Sequence, residues 1–141
     1  MANPRETKAR DAFRKASEGL FRSWLVENQL TAGMSDILAI NRRGTVFWLE
    51  LKALEEWPIR ENTMPLKSKF ERGQIPFLKE WSNTWKGNGF VLLRVGTSEW
   101  FLMSPHDSKG IPVKEFTRAH FEYCAVVKGL ENIVKYLEQL A

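Results

Sequence analysis

The chain predicts an α/β fold, with a mixed central sheet flanked by helices in the order αββαββ and closed by a C-terminal helix. Three observations carry this reading. Two β-rich runs, Ser35–Ile40 and Thr45–Lys52, flank the polar turn Asn41-Arg42-Arg43-Gly44 and form a hairpin signal. A helical stretch follows from Glu71 to Lys86, with Pro76 tolerable in its first turn. Phe90 to Val95 is then a near-continuous apolar run, the pattern of a strand buried on both faces. A hairpin–helix–strand order brings that strand back parallel to the second hairpin strand.

The size suits one domain over residues 1–141, with 43% hydrophobic and 27% charged residues marking a globular chain. A formal net charge of +4 favours an anionic partner. Cys124 stands alone, which excludes an internal disulfide and a thiolate zinc site and fits a reducing compartment. The apolar runs are too short to span a membrane, and the charged N-terminus lacks a signal core. These features suggest a cytoplasmic protein.

Taken in order, Thr7 to about Asn28 has the spacing of one helix, with Phe13, Ala16, Leu20 and Trp24 on one face. Arg5, Lys8, Arg10, Arg14, Lys15 and Arg22 make this the most basic part of the chain. Their cations suit a solvated helix face, or a surface for the DNA backbone if the hairpin carries a cutting site. Gln29 to Met34 turns into the hairpin. After it, Leu54 to Lys69, with Pro58 and Pro65, is a long irregular connection of the kind that often serves function. Lys67, Lys69 and Arg72 bring positive charge to the next helix, whose inward face holds Gln74, Leu78, Trp81 and Trp85. Gly87-Asn88-Gly89 ends it.

Gly96-Thr97-Ser98 leads to an antiparallel strand over Glu99–Ser104, and Pro105–Gly110 is loop. Val113–Phe121 is ambiguous, Tyr123–Val127 suggests a short edge strand, and Leu130–Leu140 an amphipathic helix. His106 and His120 lack ligand-like spacing and fit structural roles. Cys124 fits a small buried hydrophobe. The tryptophans fall mostly on core faces, leaving Trp57 in the loop as the candidate for stacking on a base.

The chemistry centres on the hairpin. With Arg42-Arg43-Gly44 as the loop and Gly44 left-handed, Asp36 falls opposite Glu50. Alternation puts Val46, Trp48, Glu50 and Lys52 on one face, and Phe47, Leu49, Leu51 and Ala53 on the other. Two opposed carboxylates repel unless a hard divalent cation lies between them. Lys52 could then steer or help deprotonate the attacking water. The plainer alternative is an amphipathic hairpin with a solvated Asp, Glu and Lys. Glu18, near Phe21 and Leu25, is either a third carboxylate or a half-exposed residue, and Glu27 is possible by angle. Gln74 either hydrogen-bonds into the site or sits partly exposed in the first turn.

This arrangement resembles the PD-(D/E)xK nuclease superfamily, whose site is an Asp on one strand and Glu-x-Lys on the next. Within it the chain is most similar to the RecU-type Holliday junction resolvases and more distantly to the archaeal resolvases. Leu49-Glu50-Leu51-Lys52 stands where that family has Phe-Glu-Ala-Lys, and Met64-Pro65-Leu66 where it has Phe-Pro-Leu. Gly73-Gln74-Ile75 stands for His-Gln-Ile, Asn88-Gly89-Phe90 for a Gly-x-x-Phe strand, and Trp100-Phe101-Leu102 for Tyr-Phe-Leu. The similarity covers about Met34 to Met103. Two features depart: Gly73 replaces the histidine, and Gln29–Ser35 replaces the long stalk insertion.

The resemblance implies a restriction-endonuclease-like fold and Mg²⁺ (or Mn²⁺) held by Asp36 and Glu50. It makes Lys52 the residue assisting the attacking water and Gln74 a support. The superfamily's first-helix glutamate maps onto Glu18, in a Glu-x-x-Phe-x-x-x-Leu pattern. The implied function is a structure-selective endonuclease of DNA recombination and repair, cutting four-way junctions as a homodimer in a bacterial or phage-infected cytoplasm. Arg5, Lys8, Arg10, Arg14, Lys15, Arg42, Arg43, Lys67, Lys69 and Arg72 would contact the DNA. A flap, single-strand or sequence-specific nuclease, or a non-cutting nucleic-acid-binding module, are the alternatives.

Overall fold

The structure, a computed structural model, describes residues 4–26, 37–84 and 88–141. The first helix, α1 (Pro4–Ala16), opens on a proline suited to a first helical position and buries Ala9 and Phe13. It stops well short of Asn28. The Ser17 hydroxyl donates to the Phe13 carbonyl at 2.9 Å, and Gly19 takes φ +81°. Phe21–Leu25 then forms a strand, β1, rather than more helix. The spacing of Phe13, Leu20 and Trp24 fits a helix locally. Pairing with the next strand is a long-range gain that local periodicity does not contain.

That next strand is β2 (Ile37–Asn41), followed by β3 (Val46–Leu54). Helix α2 (Gln74–Thr84) then leads to β4 (Gly89–Val95) and β5 (Glu99–Met103). Trp85, expected on the inward face of α2, lies outside the described residues. A 3₁₀ turn at Val113–Glu115, α3 (Arg118–Cys124), β6 (Val127–Lys128) and α4 (Leu130–Glu138) complete the order. The six strands form one sheet in the order β1-β2-β3-β4-β5-β6. All pairs are antiparallel except β3 with β4, which is parallel as the hairpin–helix–strand order predicts.

The two faces of β3 divide the core. Phe47, Leu49 and Leu51 pack with Ala9 and Phe13 of α1 and with Ile133, Val134 and Leu137 of α4. Trp48 looks the other way, to Leu78 of α2, Phe121 of α3 and Val91, Leu93 and Phe101 of the neighbouring strands. Gly89 is required at the start of β4, because a Cβ there would lie 2.8 Å from the Leu78 carbonyl. Asn41 ties the hairpin to α4. Its amide nitrogen donates to the Leu137 and Leu140 carbonyls, each at 2.9 Å. Its oxygen accepts from the Arg43 and Thr45 N–H groups, each at 3.0 Å.

The C-terminal part differs from the sequence expectation in detail. Residues 118–124 are helical, begun by a reciprocal cap between Thr117 and His120. The edge strand therefore starts at Val127. Phe121 is the residue α3 buries, and Cys124, the last residue of that helix, is exposed rather than buried. His120 stacks on Phe116 with ring centroids 5.1 Å apart, the structural role its isolation suggests. Trp57 is held down by packing against Phe101 and Phe121 and by its N–H bond to Glu99 Oε1 at 3.1 Å. No helix among the described residues is long and apolar enough to cross a membrane.

Candidate active site

The hairpin has the register set by an Arg42-Arg43-Gly44 loop, with Gly44 at φ +81°. Ile40 pairs with Val46, Ala39 with Phe47, Leu38 with Trp48 and Ile37 with Leu49. Asp36, the residue before Ile37, lies outside the described residues. Glu50 and Lys52 follow Trp48 on its face of β3. Both are buried, Glu50 at 1% exposure and Lys52 at 5%.

Burying a carboxylate is costly unless charge or hydrogen bonds compensate it. Here Lys52 Nζ lies 3.3 Å from Glu50 Oε2. It also donates to the Lys69 carbonyl at 2.6 Å and sits 4.8 Å from the Phe70 ring centre. The irregular connection after β3 thus folds back over the site and fixes the ammonium. Gln74, buried at the start of α2, accepts the Glu71 N–H through its side-chain oxygen at 2.7 Å. It holds the same segment in place and so supports Lys52 indirectly.

A carboxylate absent from the sequence reading completes the described group. Glu6, in the first turn of α1, brings Oε1 to 4.0 Å from Lys52 Nζ. Glu18 does not join it. It lies past the end of α1, exposed in the turn before β1, at the far end of the helix from Glu6. Glu27 lies outside the described residues. The signal for Glu6 was its place near the helix start, but helical angle alone could not select it over Glu18. With α1 ending at Ala16, its first turn approaches Lys52 through Glu6.

Among the described residues no group of three or more His, Cys, Asp or Glu forms a metal cluster. Glu50 and Glu6 are nevertheless hard oxygen donors gathered at one ammonium, the chemistry a Mg²⁺-type cation takes. A buried carboxylate on one side and a half-buried one on the other fit such a cation.

The surrounding cations vary in availability. Arg5 pairs with Glu55 at 2.8 Å, Arg10 with Asp11 at 3.7 Å, and Arg42 with Glu138. Lys8, Arg14, Lys15, Arg43, Lys67, Lys69 and Arg72 are exposed, with Lys67, Lys69 and Arg72 on the segment that covers Lys52. Arg42 and Arg43 sit at the hairpin turn, at the opposite end of β3 from Lys52.

No family model matches the sequence, and no curated protein matches it. Among solved structures the chain is similar to Hjc of Archaeoglobus fulgidus, a Holliday junction resolvase from an archaeal hyperthermophile. The TM-score is 0.54 at 16% identity, over 92% of this chain and 96% of that one. A mixed sheet flanked by helices, with a helix at the C-terminus, is common ground with the sequence expectation; the strand β1 is not. The likeness to Hjc is one of fold: the chain has the restriction-endonuclease-like architecture expected from its sequence, with β1 as an added edge strand.

Proposed function

We propose that this chain is a metal-dependent, structure-selective DNA endonuclease that resolves four-way junctions by paired symmetric nicks. The observation that carries the reading is the buried Glu50-x-Lys52 pair meeting Glu6, on a fold similar to that of a Holliday junction resolvase. Glu50 and Glu6, with Asp36, would hold Mg²⁺ or Mn²⁺. When bound, such a cation would supply positive charge against the phosphate oxygens.

The chain's own residues do the rest. Lys52 has three donors, and the Lys69 carbonyl takes one. The ammonium is thereby aimed along the carboxylate side, where it can orient a water or a phosphate oxygen. The Phe70 ring and the covering segment limit solvent around it. Gln74 keeps that segment seated and acts as a positioning residue. Two symmetric cuts require two sites related by a twofold axis, so the working form is a homodimer.

The test is incubation of the protein and its Glu50→Gln variant with Mg²⁺ and labelled DNA. The substrates are a four-way junction, a matched duplex, a splayed arm and a single strand. Paired nicks in the junction, lost in the variant, establish the resolvase. Cutting centred on the splayed arm or single strand keeps the active site and overturns junction selectivity. Binding without cutting overturns the enzyme.

A further inference from the structure

Beside α1 and the sheet edge lies a concavity of about 490 Å³ that the cutting site does not use. Arg14 and Lys15 enter it from the end of α1, Glu18 from the turn, and Phe21, Arg22 and Trp24 from β1. Three cations thus meet one carboxylate. Among the described residues none of the three is in an ion pair, whereas Arg5, Arg10, Arg42 and Arg118 each have a carboxylate partner. A polyanion is the charge complement of such a surface.

Trp24 adds a second feature. It is 49% exposed, whereas Trp48 and Trp100 are buried. Trp48, Trp57, Trp81 and Trp100 each have a ring or cation neighbour, whereas Trp24 has none among the described residues. An exposed indole flanked by unpaired cations is what a stacked base with its phosphates requires.

The register places this feature relative to the cutting site. Trp24 pairs with Leu38, and Leu38 with Trp48, so Trp24 and Arg22 point to the Glu50 and Lys52 face of the sheet. Arg14 and Lys15 come from α1 on the opposite face, and the concavity wraps the edge strand between them. Strand and residue spacings put Trp24 about 12 Å from Glu50 across the Glu50 face. A nucleic-acid strand a few nucleotides long bridges the two.

We propose that this edge concavity binds an unpaired segment of the DNA substrate, with Trp24 stacking on a base and Arg14, Lys15 and Arg22 holding phosphates. The substrate class rests on the nuclease reading above. A matched duplex hides its base faces, so the site favours DNA whose strands are opened near the cut. It gives the protein a structure-selective hold on DNA at its own sheet edge.

The experiment is fluorescence anisotropy of labelled oligothymidylate and of a matched duplex with the full chain, without divalent cation so that nothing is cut. Trp24→Ala should weaken oligothymidylate binding about tenfold and change duplex binding less than twofold. Trp24→Phe, which keeps a stacking ring, should recover most of the loss. The double variant Arg14→Ala, Lys15→Ala should reduce the salt slope of oligothymidylate binding by about 0.7 for each phosphate no longer neutralised. Unchanged oligothymidylate affinity in Trp24→Ala overturns the proposal, and so does an equal loss on duplex. So does failure of Trp24→Phe to bind better than Trp24→Ala. If the parent nicks no DNA with Mg²⁺ while the Trp24 effect holds, the nuclease reading fails and this site stands. If nicking is normal and Trp24→Ala binds like the parent, only this site fails.

Discussion

Lys52 Nζ lies 3.3 Å from Glu50 Oε2, two positions along the same strand, with both side chains withdrawn from solvent. Breaking a buried pair from one side leaves the other charge uncompensated. Lys52→Ala should therefore lower the free energy of unfolding by about 3 kcal/mol, read from the urea midpoint at unchanged m-value. A loss no larger than that of an exposed-lysine variant such as Lys109→Ala would mean that Glu50 is compensated without Lys52.

Glu50→Gln should reduce nicking by about a hundredfold or more while junction binding persists. Mg²⁺ should raise the melting temperature of the parent and leave that of Glu50→Gln unmoved, because a ligand stabilises only the state that binds it. Equal shifts in both proteins would place the cation elsewhere.

The two helix-proximal glutamates separate cleanly. Glu6 approaches Lys52, and Glu18 lies beyond the helix end. Glu6→Gln should cut the nicking rate by about tenfold or more, and Glu18→Gln should leave it within about twofold of the parent. The reverse order, in single-turnover assays, would restore Glu18 to the site.

Asn41 uses both ends of its buried amide, toward α4 and toward the hairpin turn. Asn41→Ala should cost about 3 kcal/mol in chemical denaturation. A cost below that of an ordinary surface substitution would show that water replaces these bonds.

His106 has its pKa lowered from the ordinary 6.5, first by desolvation and then by Lys79, with Asp107 acting the other way. The folded state then binds fewer protons than the unfolded state just below 6.5. Its contribution to stability is complete above that pH and is lost as pH falls through the window beneath it. Melting temperatures from pH 7.5 to 5 should fall less steeply for His106→Gln than for the parent. Identical slopes would assign the acid sensitivity to other groups.

Much of the sheet was legible because its signals are local. The Arg42-Arg43-Gly44 turn selects one hairpin register, and strand alternation then separates Glu50 and Lys52 from Phe47, Leu49 and Leu51. The near-continuous apolar run Phe90–Val95 has the pattern of a strand buried on both faces, and it forms β4. Cys124 was misplaced because a short apolar neighbourhood does not reveal that a short helix ends there, past the turn that Phe121 buries.

The amino-acid sequence by itself determined the hairpin, the C-terminal helix and the Glu50-x-Lys52 pair, since each depends on neighbours a few residues apart, and the element order gave the parallel return strand through the crossover rule. Only the tertiary structure decided that Phe21–Leu25 leaves the helix to become an edge strand. That choice brought Glu6 rather than Glu18 toward Lys52 and left Trp24 open beside Arg14 and Lys15. The physical reason is common to all three: strand pairing and side-chain meeting join residues distant in the chain, and their free energy exceeds the small local preference that a single stretch of sequence expresses.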